Sequence, residues 1–124
     1  MEKIQTENAP KAVGPYSQAI KHNGLVYTAG QIPINPDTGK LVEREIIEQT
    51  IQVLKNLKAV LSAAGSSMEN AIKVTVFLKN LDDYAKMNEI YSQYFTNKPA
   101  RATVQVAKLP LDVLVEIDVV AKCD

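Results

Sequence analysis

The sequence predicts an α+β fold, a mixed β-sheet with two helices packed on one of its faces. Three observations lead there. Residues 71–79 alternate strictly, with Ile72, Val74, Val76 and Leu78 pointing one way and Lys73, Thr75 and Phe77 the other. Two stretches, 44–64 and 82–95, repeat apolar residues every three or four positions, the signature of amphipathic helices. Residues 101–107 and 114–122 then return to strand-like alternation. A sheet with an apolar face needs a second layer over it, and two amphipathic helices supply one.

In chain order, Gly14-Pro15 opens a turn into a strand over about 17–22. Asn23-Gly24 joins it to a second strand over about 25–29, and Asn-Gly between two β-rich runs is the strongest short hairpin signal. Gly30-Gln31-Ile32-Pro33 follows, where the glycine lets backbone amides face a ligand, although a strand end before a loop is the plain alternative. Asn35 to Lys40 is a turn by composition. The first helix carries Ile47, Ile51, Leu54 and Leu61 on one stripe and stops at Gly65, in the C′ position. Asp82 or Asp83 caps the second, in which Tyr84, Met87, Ile90, Tyr91 and Tyr94 share a packing face.

In the last two strands Val104 and Val106 are assigned to the apolar face. Arg101, Thr103 and Gln105 go to the opposite, mixed face, together with Thr75, Phe77, Leu114 and Glu116. That mixed face, with Leu25, Tyr27 and Val120 also in reach, is too apolar for open exposure, so another subunit is expected to cover it in a closed homo-oligomer.

At 124 residues the chain is expected to be a single domain, 1–124. Lys+Arg and Asp+Glu both number 14, so no charge bias points to nucleic acid or an anionic membrane. The first ten residues, MEKIQTENAP, carry no apolar signal region, no run is long enough for a membrane span, and the expected address is the cytoplasm. One cysteine, Cys123, and one histidine, His22, make neither a disulfide nor a zinc set, so no metal is expected. There is no GxSxG, Walker-type loop, GxGxxG or HExxH.

The chemistry-bearing residues left are Arg101, opening one strand after Pro99-Ala100, and Glu116, inside the next. An arbitrary Arg/Glu pair is commonly a register-fixing ion pair or a salt bridge between subunits. Arginine at a strand start also presents a planar fork that binds carboxylate or phosphate bidentately. A carboxylate beside the same pocket can hold or deprotonate a water.

Gly14-Pro15-Tyr16-Ser17-Gln18-Ala19, Gly30-Gln31-Ile32-Pro33, Lys73-Val74-Thr75-Val76-Phe77-Leu78, Asn88…Tyr91…Tyr94-Phe95 and the closing PAR…LP…VEI resemble the RidA/YjgF family from about Ala9 to Ala121. The resemblance implies a chorismate-mutase-like homotrimer with sites in clefts between subunits. It implies hydrolysis of 2-imino and 2-enamino acids, such as 2-aminoacrylate and 2-iminobutanoate, to 2-keto acids and ammonia without a cofactor. In those terms Arg101 is the carboxylate clamp and Glu116 holds the attacking water. Tyr16 is a wall from the neighbouring subunit, and backbone around Gly30, Gln31 and Thr103 lines the pocket. Two positions depart from many relatives: Ala29 stands where they have serine, and Thr103 where many bacterial ones have cysteine. The family also includes members that look like carboxylate-binding regulators, and others described as ribonucleases or translation inhibitors. Glu116 favours the enzyme, and zero net charge disfavours the nuclease.

Overall fold

The computed structural model describes residues 1–123. Along the chain lie β1 (Glu2–Ile4), β2 (Ala19–His22), β3 (Leu25–Thr28), β4 (Ile34–Asn35), β5 (Lys40–Leu41), α1 (Ile46–Ala63), β6 (Ala71–Leu78), α2 (Tyr84–Tyr94), β7 (Ala100–Gln105) and β8 (Val115–Lys122). Six strands form one sheet in the order β1-β2-β3-β8-β6-β7, and β4-β5 is a separate small hairpin. In the large sheet only β6 and β7 run parallel. The sheet is therefore mixed and the fold α+β, as expected.

Local chemistry accounts for the joints. Asn23 and Gly24 both have positive φ, 52° and 78°, the backbone a two-residue hairpin turn demands. Glu45 caps α1, its side chain accepting the Glu48 amide at 2.8 Å. At the other end Gly65 takes φ 77°, and the Ser66 amide reaches back to the Leu61 carbonyl at 2.8 Å. The stripe of α1 is wholly buried at Val53, Leu54, Leu57, Val60 and Leu61. It packs, with Met87 and Tyr91 of α2, on the sheet face formed by Val74, Val76, Leu78, Val115, Ile117 and Val119.

Buried amides tie loops to this core. The Gln18 side chain accepts from the Thr6 amide at 2.7 Å and donates to the Pro10 carbonyl at 2.8 Å, fixing the segment after β1. Gln49 accepts from the Leu114 amide at 2.8 Å, and Asn56 donates to the Ile32 and Ile34 carbonyls at 3.2 and 3.0 Å. So α1 holds both the entry to β8 and the loop after Gly30-Gln31.

Three sequence expectations change. Ile72, assigned with Val74 to the apolar face, is 47% exposed, because the register of β6 on β8 slips between Ala71 and Lys73 and the extra residue shifts the alternation. Arg101, Thr103 and Gln105 lie on the helix-covered face: in the parallel register they stand beside Val74, Val76 and Leu78. Conversely Val104 pairs with Phe77 on the open face and is 41% exposed. Among the described residues no helix is long and apolar enough to cross a membrane.

Leu54 is fully buried at the centre of the packed layers. Leu54→Ala is expected to lower unfolding free energy by about 2–5 kcal/mol, read as an earlier urea midpoint at unchanged slope.

Candidate functional site

The site residues fall into two groups on opposite faces of the sheet. The first is built around Arg101. As second residue of the edge strand β7, in register with Val74, it turns toward α2. Tyr84, Asn88 and Tyr91 occupy positions i, i+4 and i+7 of that helix and so meet it on one face. Arg101 Nη1 donates to Asn88 Oδ1 at 2.6 Å and Nη2 donates to the Tyr84 hydroxyl at 2.5 Å. The guanidinium carbon lies 4.6 Å from the Tyr91 ring centroid and 5.4 Å from that of Tyr84, within cation–π range. Burial holds the Tyr91 phenol above its ordinary pKa while the Arg101 charge pulls it down. Beside this cluster opens a cleft of about 350 Å³ lined by Asn88, Tyr91, Ser92, Phe95, Lys98 and Arg101. Thr103, two residues along β7 on the same side, has a buried hydroxyl without a hydrogen-bond partner.

The second group surrounds Glu116. On β8 it pairs with Phe77 of β6 and points to the open face. Its carboxylate lies over Gly30: a Cβ added there would sit 2.1 Å from Oε2, so any side chain at position 30 would push the carboxylate out of this place. Gln31 fixes this approach by a two-way bridge with Ile117, amide to carbonyl at 2.8 Å and back at 3.2 Å. Burial raises the Glu116 pKa above the ordinary value, and the neighbouring Asp118 raises it further. Asp118 is itself raised by burial, opposed by a hydrogen bond from the Thr75 hydroxyl. Two half-desolvated carboxyl groups thus sit among Phe77, Val120 and Tyr27 on a face that no element of this chain covers.

The structure therefore brings Glu116 together with Gly30 and Gln31, and leaves Arg101 and Thr103 on the other side of the sheet. The shared face expected for Arg101 and Glu116 is overturned by the β6–β7 register. Alternation fixes the phase within a strand, whereas the phase between two strands depends on their pairing. Tyr16 stands apart on the surface, 53% exposed, its amide bonded to the Gly14 carbonyl at 2.8 Å. Tyr84 and Tyr91, read from sequence as packing residues, are partners of Arg101, and Asn88 joins them. The signal was present as three residues with polar heads at i, i+4 and i+7.

A raised carboxyl pKa means that the folded chain binds the proton more tightly than the unfolded one, so ionising Glu116 costs stability. That cost is absent below the ordinary carboxylate range, develops as pH rises through the raised value, and is then constant. Glu116→Gln is expected to melt above the native chain at about pH 7, with the difference closing toward about pH 4. A difference independent of pH over that range would contradict the desolvation of Glu116.

Known proteins share this architecture over its whole length. The sequence profile of the family described as endoribonuclease L-PSP matches residues 6–123. A RutC family protein of Pyrococcus horikoshii is 58% identical over 121 residues, covering 97% of this chain and 96% of its own. The chloroplastic Reactive Intermediate Deaminase A of Arabidopsis thaliana is 47% identical over 97% of this chain and 65% of its own length. The crystal structure of E. coli TdcF with bound serine superposes with a TM-score of 0.95 at 41% identity, each chain covered completely. With the profile spanning nearly every residue and relatives at such identity, the chain belongs to the RidA/YjgF family.

Proposed function

We propose that this chain is a hydrolytic deaminase of 2-imino and 2-enamino acids, working as a homotrimer with each site formed between two subunits. The observation that carries the reading is the division of the site. A carboxylate-binding guanidinium, oriented by Asn88 and Tyr84, lies on one face, and a half-desolvated carboxyl, set over Gly30, on the other. Neither suffices alone, and the two meet only if the open face of one copy is brought to the β7 edge of the next. That open face, with Tyr27, Val104 and Ile72 each more than 40% exposed, is the surface a second copy would cover. Tyr16, exposed in the single chain, would form a wall of the cleft, with Gly30, Gln31 and Thr103 lining it. The similarity to an Arabidopsis protein named a reactive intermediate deaminase supports the same activity.

Arg101 takes the substrate carboxylate through its free N–H groups and so fixes the C=N carbon in front of Glu116. An enamine reaches that state by protonation at C3. The Glu116 carboxylate accepts a proton from water as the oxygen bonds to C2 and the C=N electron pair moves to nitrogen, and Glu116 then passes that proton to the nitrogen, giving a carbinolamine. The carbinolamine hydroxyl gives its proton to the freed Glu116 carboxylate, which hands it to the nitrogen as the C=O bond forms and the C–N bond breaks, releasing ammonia and a 2-keto acid. A carboxyl held above its ordinary pKa by burial suits a group that must take a proton and pass it on. An imine is already electrophilic, so positioning and a placed water are sufficient. No cofactor enters this scheme.

Arg101→Ala removes a charge-assisted contact and is expected to lower kcat/KM about ten- to a hundredfold in a dehydratase-coupled assay on 2-aminoacrylate. A flat result for the native chain would favour a carboxylate-binding protein without turnover. Co-expressed Arg101→Ala and Glu116→Gln chains test the two-subunit site directly. In a closed ring with random mixing about one site in four draws both intact residues, so about a quarter of native activity should return. A site held within one chain would give no recovery.

A further inference from the structure

Lys98 occupies a backbone conformation that suits glycine or asparagine better than lysine. Its φ is 54°, in the left-handed region that a Cβ disfavours. The turn imposing it is tied down on both sides. The Lys98 amide donates to the Phe95 carbonyl at 3.2 Å, and the Asn97 side chain donates to the Glu69 and Ala71 carbonyls at 2.8 and 3.0 Å, anchoring the turn to the start of β6. Held in this way, Lys98 lines the same cleft as Arg101, three residues further on. Among the described residues no carboxylate lines that cleft. Among the described residues, the ion pairs are those of Asp112 with Arg44 and Lys79, so neither cation of the cleft is neutralised. Asn88 and Tyr84 accept one hydrogen each from Arg101 and leave its other N–H groups for a ligand.

Two unpaired cations around one open cleft match a ligand with two anionic groups better than a ligand with one, and a strained turn that directs a lysine there is of the kind found at ligand clamps. We infer that the site prefers 2-imino and 2-keto acids bearing a second carboxylate, the first carboxylate on Arg101 and the second on Lys98. This rests on the reading of Arg101 as the carboxylate clamp. It adds a specificity-determining residue and narrows the substrate class to the acidic members.

The test is direct binding of two stable 2-keto acids, 2-oxoglutarate and 2-oxobutanoate, by calorimetry on the native protein and on Lys98→Gly, Lys98→Asn and Lys98→Arg. Glycine and asparagine accept the left-handed backbone, so these variants should melt no lower than the native chain. The native protein is expected to bind 2-oxoglutarate more tightly. Lys98→Gly and Lys98→Asn should weaken it roughly three- to tenfold more than they weaken 2-oxobutanoate, the range of a partly exposed ionic contact. Lys98→Arg should keep the preference. Equal affinities in the native protein, or a ratio that does not move with residue 98, would overturn the inference and leave Lys98 as a solvated surface lysine. Binding needs no turnover, so the two ideas fail separately. A Lys98-dependent preference without imine hydrolysis removes the proposed activity alone, and hydrolysis without that preference removes this inference alone.

Discussion

The parallel pairing of β7 on β6 is the constraint on which the rest of the molecule depends. Every other pairing in the large sheet is antiparallel and can be closed by a short turn or by neighbours already in place. A parallel pair needs a crossover connection, and the chain between β6 and β7 supplies α2. The helix that makes the pairing possible also supplies what Arg101 rests on, since Tyr84, Asn88 and Tyr91 all belong to it. One topological requirement thus sets the direction of the guanidinium, its hydrogen-bond partners and the wall of its cleft.

The same register separates the two reactive groups. With Arg101 turned toward α2 and Glu116 toward the open face, the thickness of the sheet lies between them. Their electrostatics differ accordingly. Arg101 is cradled by neutral oxygens and aromatic faces, which keep it oriented without neutralising it. Among the described residues no ion pair includes Glu116, and burial together with Asp118 pushes it toward the protonated form. Among the described residues no ion pair joins Arg101 to Glu116, and assembly becomes part of the proposed chemistry.

Much of the fold was legible because it depends on local rules. The Asn23-Gly24 turn, the stripe of α1, the stop at Gly65 and the alternation of β8 each follow from a few neighbouring residues. What was not legible depends on pairing between distant segments. Alternation places Arg101 opposite Val104 within β7, but both faces of an edge strand are partly open, so polarity gives no sign of which face is which. Ile72 is misassigned for a similar reason: the slip beside Ala71 is a property of β6 against β8 and leaves no mark in the residues themselves. The short strand β1 has only three residues to show a period, and the segment after it is held by Gln18, whose burial no local pattern reveals. Of the site, Glu116 was legible as a lone carboxylate inside a strand and Gly30-Gln31 as a candidate backbone surface, but nothing local links them, and Tyr84 and Tyr91 read as ordinary packing because their spacing fits a buried helix stripe equally well.

The two buried amides of α1 have a consequence for motion. Gln49 holds the amide that opens β8, and Asn56 holds the carbonyls that follow the Gly30 loop, so one helix clamps the segments on both sides of Glu116. Loop ends next to a reactive group ordinarily open and close at little cost. Here they can open only with rotation of a buried side chain of α1 or with loosening of the helix itself. The Leu114 amide, at the edge of a loop, should therefore exchange its hydrogen with solvent at the pace of the core, and the surroundings of Glu116 belong to the most slowly opening part of the protein.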